Sequence, residues 1–321
     1  MTKPLVVVTR KWPSEVEQAL AERYRVELNA TDTVMSGTEL KAAFRRADAV
    51  CPTVTDSITR DLIEGSSVRL IANYGVGSSH IDLAAAYEQN ISVSNTPDVL
   101  TDCTADLTLC LMLMAARRAG EGEREVRSGR WAGWRPTHML GRKMNGKRLG
   151  IVGFGRIGRA VAYRAHHGFG MRIEVFNRSP IGTEALSTVG AVQAPDLAAL
   201  LGRCDFVSLH CPGGKENRHL LNAQTLGYMS EHAILINTAR GEVVEQDALS
   251  DALAAGRIAA AGLDVYDGEP AVPASLLACD NVVLLPHLGS ATIETRRAMG
   301  FRVVENMDAF FAGGQPPDRV V

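Results

Sequence analysis

Short apolar runs alternate with amphipathic stretches along the whole chain. Leu5-Val6-Val7-Val8, Arg25-Val26-Glu27-Leu28, Ala49-Val50-Cys51, Leu70-Ile71-Ala72-Asn73 and Ile91-Ser92-Val93 predict strands, with helices near Ser14 to Glu22, Thr38 to Ala47 and Leu83 to Gln89 between them. A second series predicts strands at Leu149-Gly150-Ile151-Val152, Arg172 to Phe176, Phe206 to Leu209, Ala233 to Ile236, Ala261 to Val265 and Val282 to Leu285. Continuous apolar runs of this kind suit parallel strands covered by helices on both faces, so the pattern predicts an α/β protein of two doubly wound parallel-sheet domains. Between the series, Leu100 to Ser128 reads as one long helix capped at Thr101-Asp102. Near the end, Thr292 to Phe311 reads as a helix with Met299, Val303, Met307 and Phe310 on one core-facing stripe.

Composition narrows the class. At 321 residues and 46% hydrophobic content the chain can build more than one core. A net charge of −2 gives no electrostatic reason to expect nucleic acid or a membrane surface. The run Leu5 to Val8 is too short for a signal peptide and Leu107 to Ala116 too short to span a bilayer, which makes the cytoplasm the expected compartment. The six cysteines, at 51, 103, 110, 204, 211 and 279, form no C-x-x-C pair and no zinc-like cluster, so reduced core thiols and no metal are expected.

Chemistry enters at Gly153-Phe154-Gly155-Arg156-Ile157-Gly158, directly after the strand that ends at Val152. Gly153 and Gly155 allow a tight turn and close approach to a pyrophosphate, and Gly158 lets the next helix close on the strand with its N-terminus toward the phosphates. The helical spacing of Ile157, Val161, Ala162 and Ala165, followed by the Arg172 to Phe176 strand, gives the loop its dinucleotide-binding context. An NAD-specific site places Asp or Glu after that second strand; this chain has Asn177-Arg178-Ser179. A neutral residue, a cation and a hydroxyl suit a 2′-phosphate, so NADP(H) is expected over NAD(H), the alternative being a solvated Arg178.

Three residues follow successive strands of the second series: Arg240, Glu269 and His287. Carboxyl ends of parallel strands line one crevice, so the three can meet beside a dinucleotide. A guanidinium holds a carboxylate or carbonyl oxygen bidentately, and a histidine held by a carboxylate can pass a proton. The expected pair has Glu269 holding His287 and favouring its charged form. A further stretch, Ser128 to Pro136, carries Trp131 and Trp134 on a Gly- and Arg-rich arm, which is expected to pack on another subunit or on the first domain.

These residues resemble those of the D-isomer-specific 2-hydroxyacid dehydrogenases. The resemblance runs through nearly the whole chain: Asn73-Tyr74-Gly75-Val76-Gly77, His80-Ile81-Asp82-Leu83, Leu149 to Gly158, Leu209-His210-Cys211-Pro212, Ile236 to Gly241, Gly262-Leu263-Asp264-Val265 and Pro286-His287-Leu288-Gly289-Ser290. It implies that Arg240, Glu269 and His287 are catalytic, and that the Val76 and Gly77 amides bind the substrate carboxylate, with Arg240 and His287 also on substrate and cofactor. It implies cofactor contacts at Arg156, Ile157, Pro212, Asn217, Thr238, Ala239, Asp264, Gly289 and Ser290, besides the glycine loop and residues 177–179. The arm, Met139-Leu140-Gly141 and the 177–179 loop resemble the glyoxylate/hydroxypyruvate reductases within that family. Packing of the arm on another subunit would make the protein a homodimer, with Trp134 a candidate substrate-binding residue of its own or of the partner's site. Ser78-Ser79 and Pro212-Gly213-Gly214-Lys215 depart from the usual pattern, beside the substrate loop and the adenine respectively.

The implied architecture is a flavodoxin-like substrate domain, residues 1–99 and 288–321, with a Rossmann domain of residues 100–287 inserted and a cleft that closes over substrate. The implied reaction is NAD(P)H-dependent reduction of glyoxylate or hydroxypyruvate. Another 2-oxo acid, such as phenylpyruvate or a branched-chain one, is the alternative substrate. A dinucleotide-sensing corepressor is the non-enzyme alternative.

Overall fold

Leu5-Val6-Val7-Val8 is buried at every position, as are Phe206–Leu209 and Ile234–Asn237, because each lies inside a parallel sheet with cover on both faces. A computed structural model describes residues 2–321 and divides the chain into two units: everything through Leu100 together with Ser290–Val321, and Thr101–Gly289.

The first unit contains β1 (Leu5–Val8), β2 (Arg25–Glu27), β3 (Ala49–Cys51), β4 (Leu70–Ala72) and β5 (Ser92–Ser94), all parallel in the order β2-β1-β3-β4-β5. That is the flavodoxin-like order, with its reversal at β1 and β3. Helix Ile293–Phe311 buries Met299, Val303 and Met307 and packs on helix Ser14–Arg23 and on β4. Its approach is close at Gly300, where a Cβ would come within 2.7 Å of the Val16 side chain. The tail then joins β5, with Val320 N donating to Val93 O at 2.6 Å.

The second unit holds β6 (Arg148–Val152), β7 (Arg172–Phe176), β8 (Val192–Gln193), β9 (Phe206–Leu209), β10 (Ile234–Asn237), β11 (Ala260–Leu263) and β12 (Val282–Leu284). They form one parallel sheet, β12-β11-β10-β9-β6-β7-β8, which reverses direction between β6 and β9. Ligands of such sheets bind outside the strand carboxyl ends at that reversal. Separate apolar clusters pack the sheet, one around Leu200, Leu235 and Leu249 and the other around Met112, Ile151 and Phe206.

The long helix expected from Leu100 to Ser128 is two helices, Thr101–Ala116 and Ala119–Arg127. The reason is a distant contact: Arg142 N donates to Ala116 O at 2.7 Å, and Arg118 turns into the left-handed region at φ 53°. Residue 141 must be glycine there, since a Cβ would sit 2.4 Å from Ala116 O. None of the six cysteines is joined in a disulfide, but only Cys51 and Cys204 are buried and Cys110 is exposed, so the expectation of core thiols holds for part of the set. Cys110 lies on the solvent side of the Thr101–Ala116 helix, away from the positions that pack on the sheet. Among the described residues, no helix is long and apolar enough to cross a membrane, and no three His, Cys, Asp or Glu side chains gather as a metal site.

Candidate active site

The glycine loop sits at the end of β6, beside the sheet reversal, and each glycine has its own reason. Gly153 has φ 93°, and a Cβ there would meet the Cys211 amide at 2.6 Å. At Gly158 a Cβ would lie 2.3 Å from Gly153 O, so helix Arg156–Phe169 can close on the strand only without a side chain. Gly155 is different: a Cβ would meet nothing within 4 Å. Nothing in the protein requires glycine at 155, whereas a pyrophosphate brought against the backbone and the helix N-terminus would. The residues present therefore fit a dinucleotide.

At the end of β7, Asn177 Oδ1 accepts from Phe154 N at 3.5 Å, and its Nδ2 donates to Ser179 O at 3.1 Å. Asn177 thus ties the 177–179 loop to the glycine loop. Arg178 is exposed and ion-paired with Glu216, a residue the sequence reading did not single out.

Arg240, Glu269 and His287 all belong to the second unit, after β10, β11 and β12. His287 Nδ1 lies 2.8 Å from Glu269 Oε2, and Glu269 Oε1 accepts from Tyr266 N at 2.9 Å. Burial by itself would raise the Glu269 carboxyl. The His287 hydrogen bond and charge, the Tyr266 amide and the Arg240 cation outweigh it, and the net shift is below the usual carboxylate range. Burial pushes the Arg240 guanidinium down from its ordinary value, against the pull of Glu269 and Glu242. It remains a cation, since guanidinium does not deprotonate in proteins. One of its nitrogens donates to Ala239 O at 2.6 Å, and its own carbonyl accepts from Asn237 Nδ2 at 2.9 Å.

His287 adopts φ 57°, an uncommon conformation for a residue with a side chain. Asp264 holds it there. The Asp264 carbonyl accepts from His287 N at 2.9 Å, and the two carboxylate oxygens accept from Leu288 N at 2.7 Å and Gly289 N at 2.8 Å. Burial raises the Asp264 carboxyl, with the two amides and His287 opposing. Strained backbone fixed by several bonds is a common device where a side chain must be aimed.

The remaining predicted residues fall into two groups. Thr238 and Ala239 are buried, and Thr238 Oγ1 pairs with Thr108 Oγ1 at 2.9 Å. Asn217 is buried and pins its own loop, Nδ2 donating to Pro212 O at 2.8 Å. Gly289 O accepts from Thr104 Oγ1 at 3.1 Å, and Ser290 begins the return to the first unit. Arg156 and Pro212 are exposed, and Ile157 is half-buried. In the first unit, the carbonyls of Gly75, Val76 and Gly77 are taken by Asn73 Nδ2 at 3.0 Å, Asn95 Nδ2 at 2.9 Å and Asn73 Nδ2 at 3.0 Å. A trans peptide places N–H opposite C=O, so bonding the Gly75 and Val76 carbonyls inward leaves the Val76 and Gly77 amides facing outward. Trp131 and Trp134 are 53% and 83% exposed.

The sequence assigns no individual role to Asn237 or His210, and none to Asp264 as the anchor of the histidine turn. His210 is half-buried beside Ser208 Oγ at 2.8 Å, and loss of solvent around its ring lowers it to about 3, which makes it a neutral structural group behind the glycine loop. Its place directly after an apolar strand was the available signal.

Residues 109–289 match the D-isomer specific 2-hydroxyacid dehydrogenase NAD-binding domain. A glyoxylate reductase of Thermococcus litoralis is 44% identical over 99% of this chain and 97% of its own. Among solved structures, a D-isomer specific 2-hydroxyacid dehydrogenase from Polaromonas matches at TM-score 0.92 and 38% identity, over 99% of this chain and all of that one. An NADPH-dependent glyoxylate/hydroxypyruvate reductase of Sinorhizobium meliloti, solved with NADP and malonate, matches at TM-score 0.87 and 32% identity, over 100% of this chain and 97% of that one. With the glycine loop at the sheet reversal and Arg240, Glu269 and His287 on adjacent strand ends, the chain belongs to the D-isomer-specific 2-hydroxyacid dehydrogenase family.

Proposed function

We propose that this protein reduces glyoxylate and hydroxypyruvate to the corresponding 2-hydroxy acids, using NADPH in preference to NADH. The observation that carries the reading is the 2.8 Å pair of His287 Nδ1 and Glu269 Oε2, on strand ends adjacent to the one that carries the half-buried Arg240. The similar proteins named above include a glyoxylate reductase and an NADPH-dependent glyoxylate/hydroxypyruvate reductase, which supports the substrate class and the cofactor. Gly153, Gly155, Arg156, Ile157 and Gly158 would hold the pyrophosphate, and Asn177, Arg178 and Ser179 the adenosine ribose. Pro212, Asn217, Thr238, Ala239, Asp264, Gly289 and Ser290 would frame the rest of the cofactor. When bound, a reduced nicotinamide supplies the hydride.

The protein's own residues do the remainder. Arg240 offers a planar pair of donors to the 2-oxo acid, and the outward amides of Val76 and Gly77 are assigned its carboxylate. With Nδ1 committed to Glu269, His287 carries a transferable proton on Nε2. It delivers that proton to the substrate oxygen as the carbonyl carbon becomes tetrahedral. Glu269 remains ionised and compensates the imidazolium.

The test is consumption of NADPH in the presence of 2-oxo acids. Glyoxylate and hydroxypyruvate should give the highest kcat/KM in a panel that includes phenylpyruvate and a branched-chain 2-oxo acid. Preferential reduction of either of the latter would assign the enzyme to the other substrate class.

We also propose a cytoplasmic homodimer in which the arm packs on the partner and Trp134 borders its substrate site. The exposed Trp131, Trp134 and Leu140 support this, because large exposed apolar groups commonly anchor interfaces. Replacing both tryptophans with Ala should weaken the dimer by about tenfold, equivalent to about 1.4 kcal/mol. Sedimentation equilibrium is the measurement. A wild-type monomer at micromolar concentration, or a variant dimer of unchanged affinity, would remove the arm from the interface.

A further inference from the structure

The cation at the adenosine end of the glycine loop is already engaged: Arg178 is paired with Glu216. Glu216 lies between β9 and β10 on a loop tied from several directions. Gly214 N donates to Glu242 Oε1 at 2.7 Å, and the amides of Asn217 and Arg218 both donate to Gly214 O at 3.0 Å. The Asn217 side chain closes the same turn on Pro212 O. At Gly213 a Cβ would lie 2.2 Å from Glu242 Oε1, so the loop lies directly against that carboxylate. The Glu216 backbone is therefore held in place, and its carboxylate meets Arg178 across a gap that belongs to neither strand end.

We propose that Glu216 is a specificity-determining residue, which competes with a ribose 2′-phosphate for Arg178 and so limits the discrimination between NADPH and NADH. The inference rests on the reading of Arg178 as the phosphate-binding cation. Both partners are largely exposed, at 62% and 74%, and exposed pairs are weak. A phosphate dianion, the stronger acceptor, can displace such a carboxylate, and the displaced charge then stands near the phosphate and repels it. A ligand without the phosphate leaves the pair closed. Glu216 consequently acts on one cofactor and spares the other.

Calorimetric titration of the full chain with 2′,5′-ADP and with 5′-AMP isolates this effect from catalysis. Glu216→Gln should tighten 2′,5′-ADP by about 3- to 10-fold and move 5′-AMP by less than about twofold. In a background carrying Arg178→Ala, the gain from Glu216→Gln should shrink. If Arg178→Ala binds 2′,5′-ADP as well as wild type does, the phosphate reading falls and takes this proposal with it. If Arg178→Ala weakens that ligand but Glu216→Gln fails to tighten it, the competition is overturned and the phosphate reading stands.

Discussion

Replacing His287 with Asn should leave cofactor affinity intact and lower the turnover of 2-oxo acid reduction by about 10²- to 10⁴-fold, the usual contribution of a positioned general acid. Asn preserves a donor toward Glu269 Oε2, where Nδ1 now lies at 2.8 Å, so the turn held by Asp264 has no reason to collapse. What it lacks is a proton to release. Cofactor affinity separates this role from a structural one: a variant that has lost only the proton donor should bind NADPH as the wild type does, whereas a collapsed turn would weaken that binding as well. On the acid side, Glu269 is held below the usual carboxylate range, chiefly through His287, in opposition to burial. A group lowered on folding adds stability that is present above its unfolded value, about 4.3 for Glu, and lost as pH falls through the lower folded value. The pair should therefore survive mild acid. Near-normal turnover in His287→Asn would take His287 out of the mechanism.

Much of this site was legible because it is built from local signals. A glycine whose role is steric, such as Gly153 or Gly158, stands at a fixed distance from the strand that precedes it. Arg240, Glu269 and His287 follow β10, β11 and β12, so alternation of strand and helix is enough to place them on one edge of the sheet. What escaped depends on contacts between distant segments. The break after Ala116 is made by the Arg142 amide, and no propensity in an Ala-, Leu- and Met-rich stretch reports it. Strand β8, only Val192–Gln193, lies at the sheet edge and is too short to give an alternating pattern. The Glu216 partner of Arg178 was illegible for the same reason: its loop reaches the β7 end from the far side of the sheet reversal.

Asp264 shows a subtler limit. A buried acid after a strand reads naturally as a ligand-binding group, which is how the resemblance assigns it. Its two oxygens instead accept the Leu288 and Gly289 amides, and its carbonyl accepts the His287 amide. Much of its observed work is to fix the turn that carries His287. The sequence shows the residue type, and only the fold shows that three consecutive amides converge on it.

Cofactor preference should respond to two substitutions at the end of β7. Wild-type kcat/KM should favour NADPH by roughly 10- to 150-fold, since a charged hydrogen bond from Arg178 to a 2′-phosphate contributes about 1.5–3 kcal/mol. Asn177→Asp combined with Arg178→Ala should abolish or reverse that preference. The carboxylate at 177 supplies the acceptor that ribose hydroxyls require, in a position where Asn177 already reaches the Phe154 amide. Loss of Arg178 removes the cation and strips Glu216 of its partner, leaving an uncompensated negative charge where the phosphate would lie. Both changes act against NADPH, and the first also acts for NADH. The measurement is kcat/KM for each cofactor at fixed glyoxylate, in wild type and in the double variant. Equal wild-type values would mean that Arg178 serves only Glu216, and a wild-type preference for NADH would overturn the assignment of the 177–179 loop.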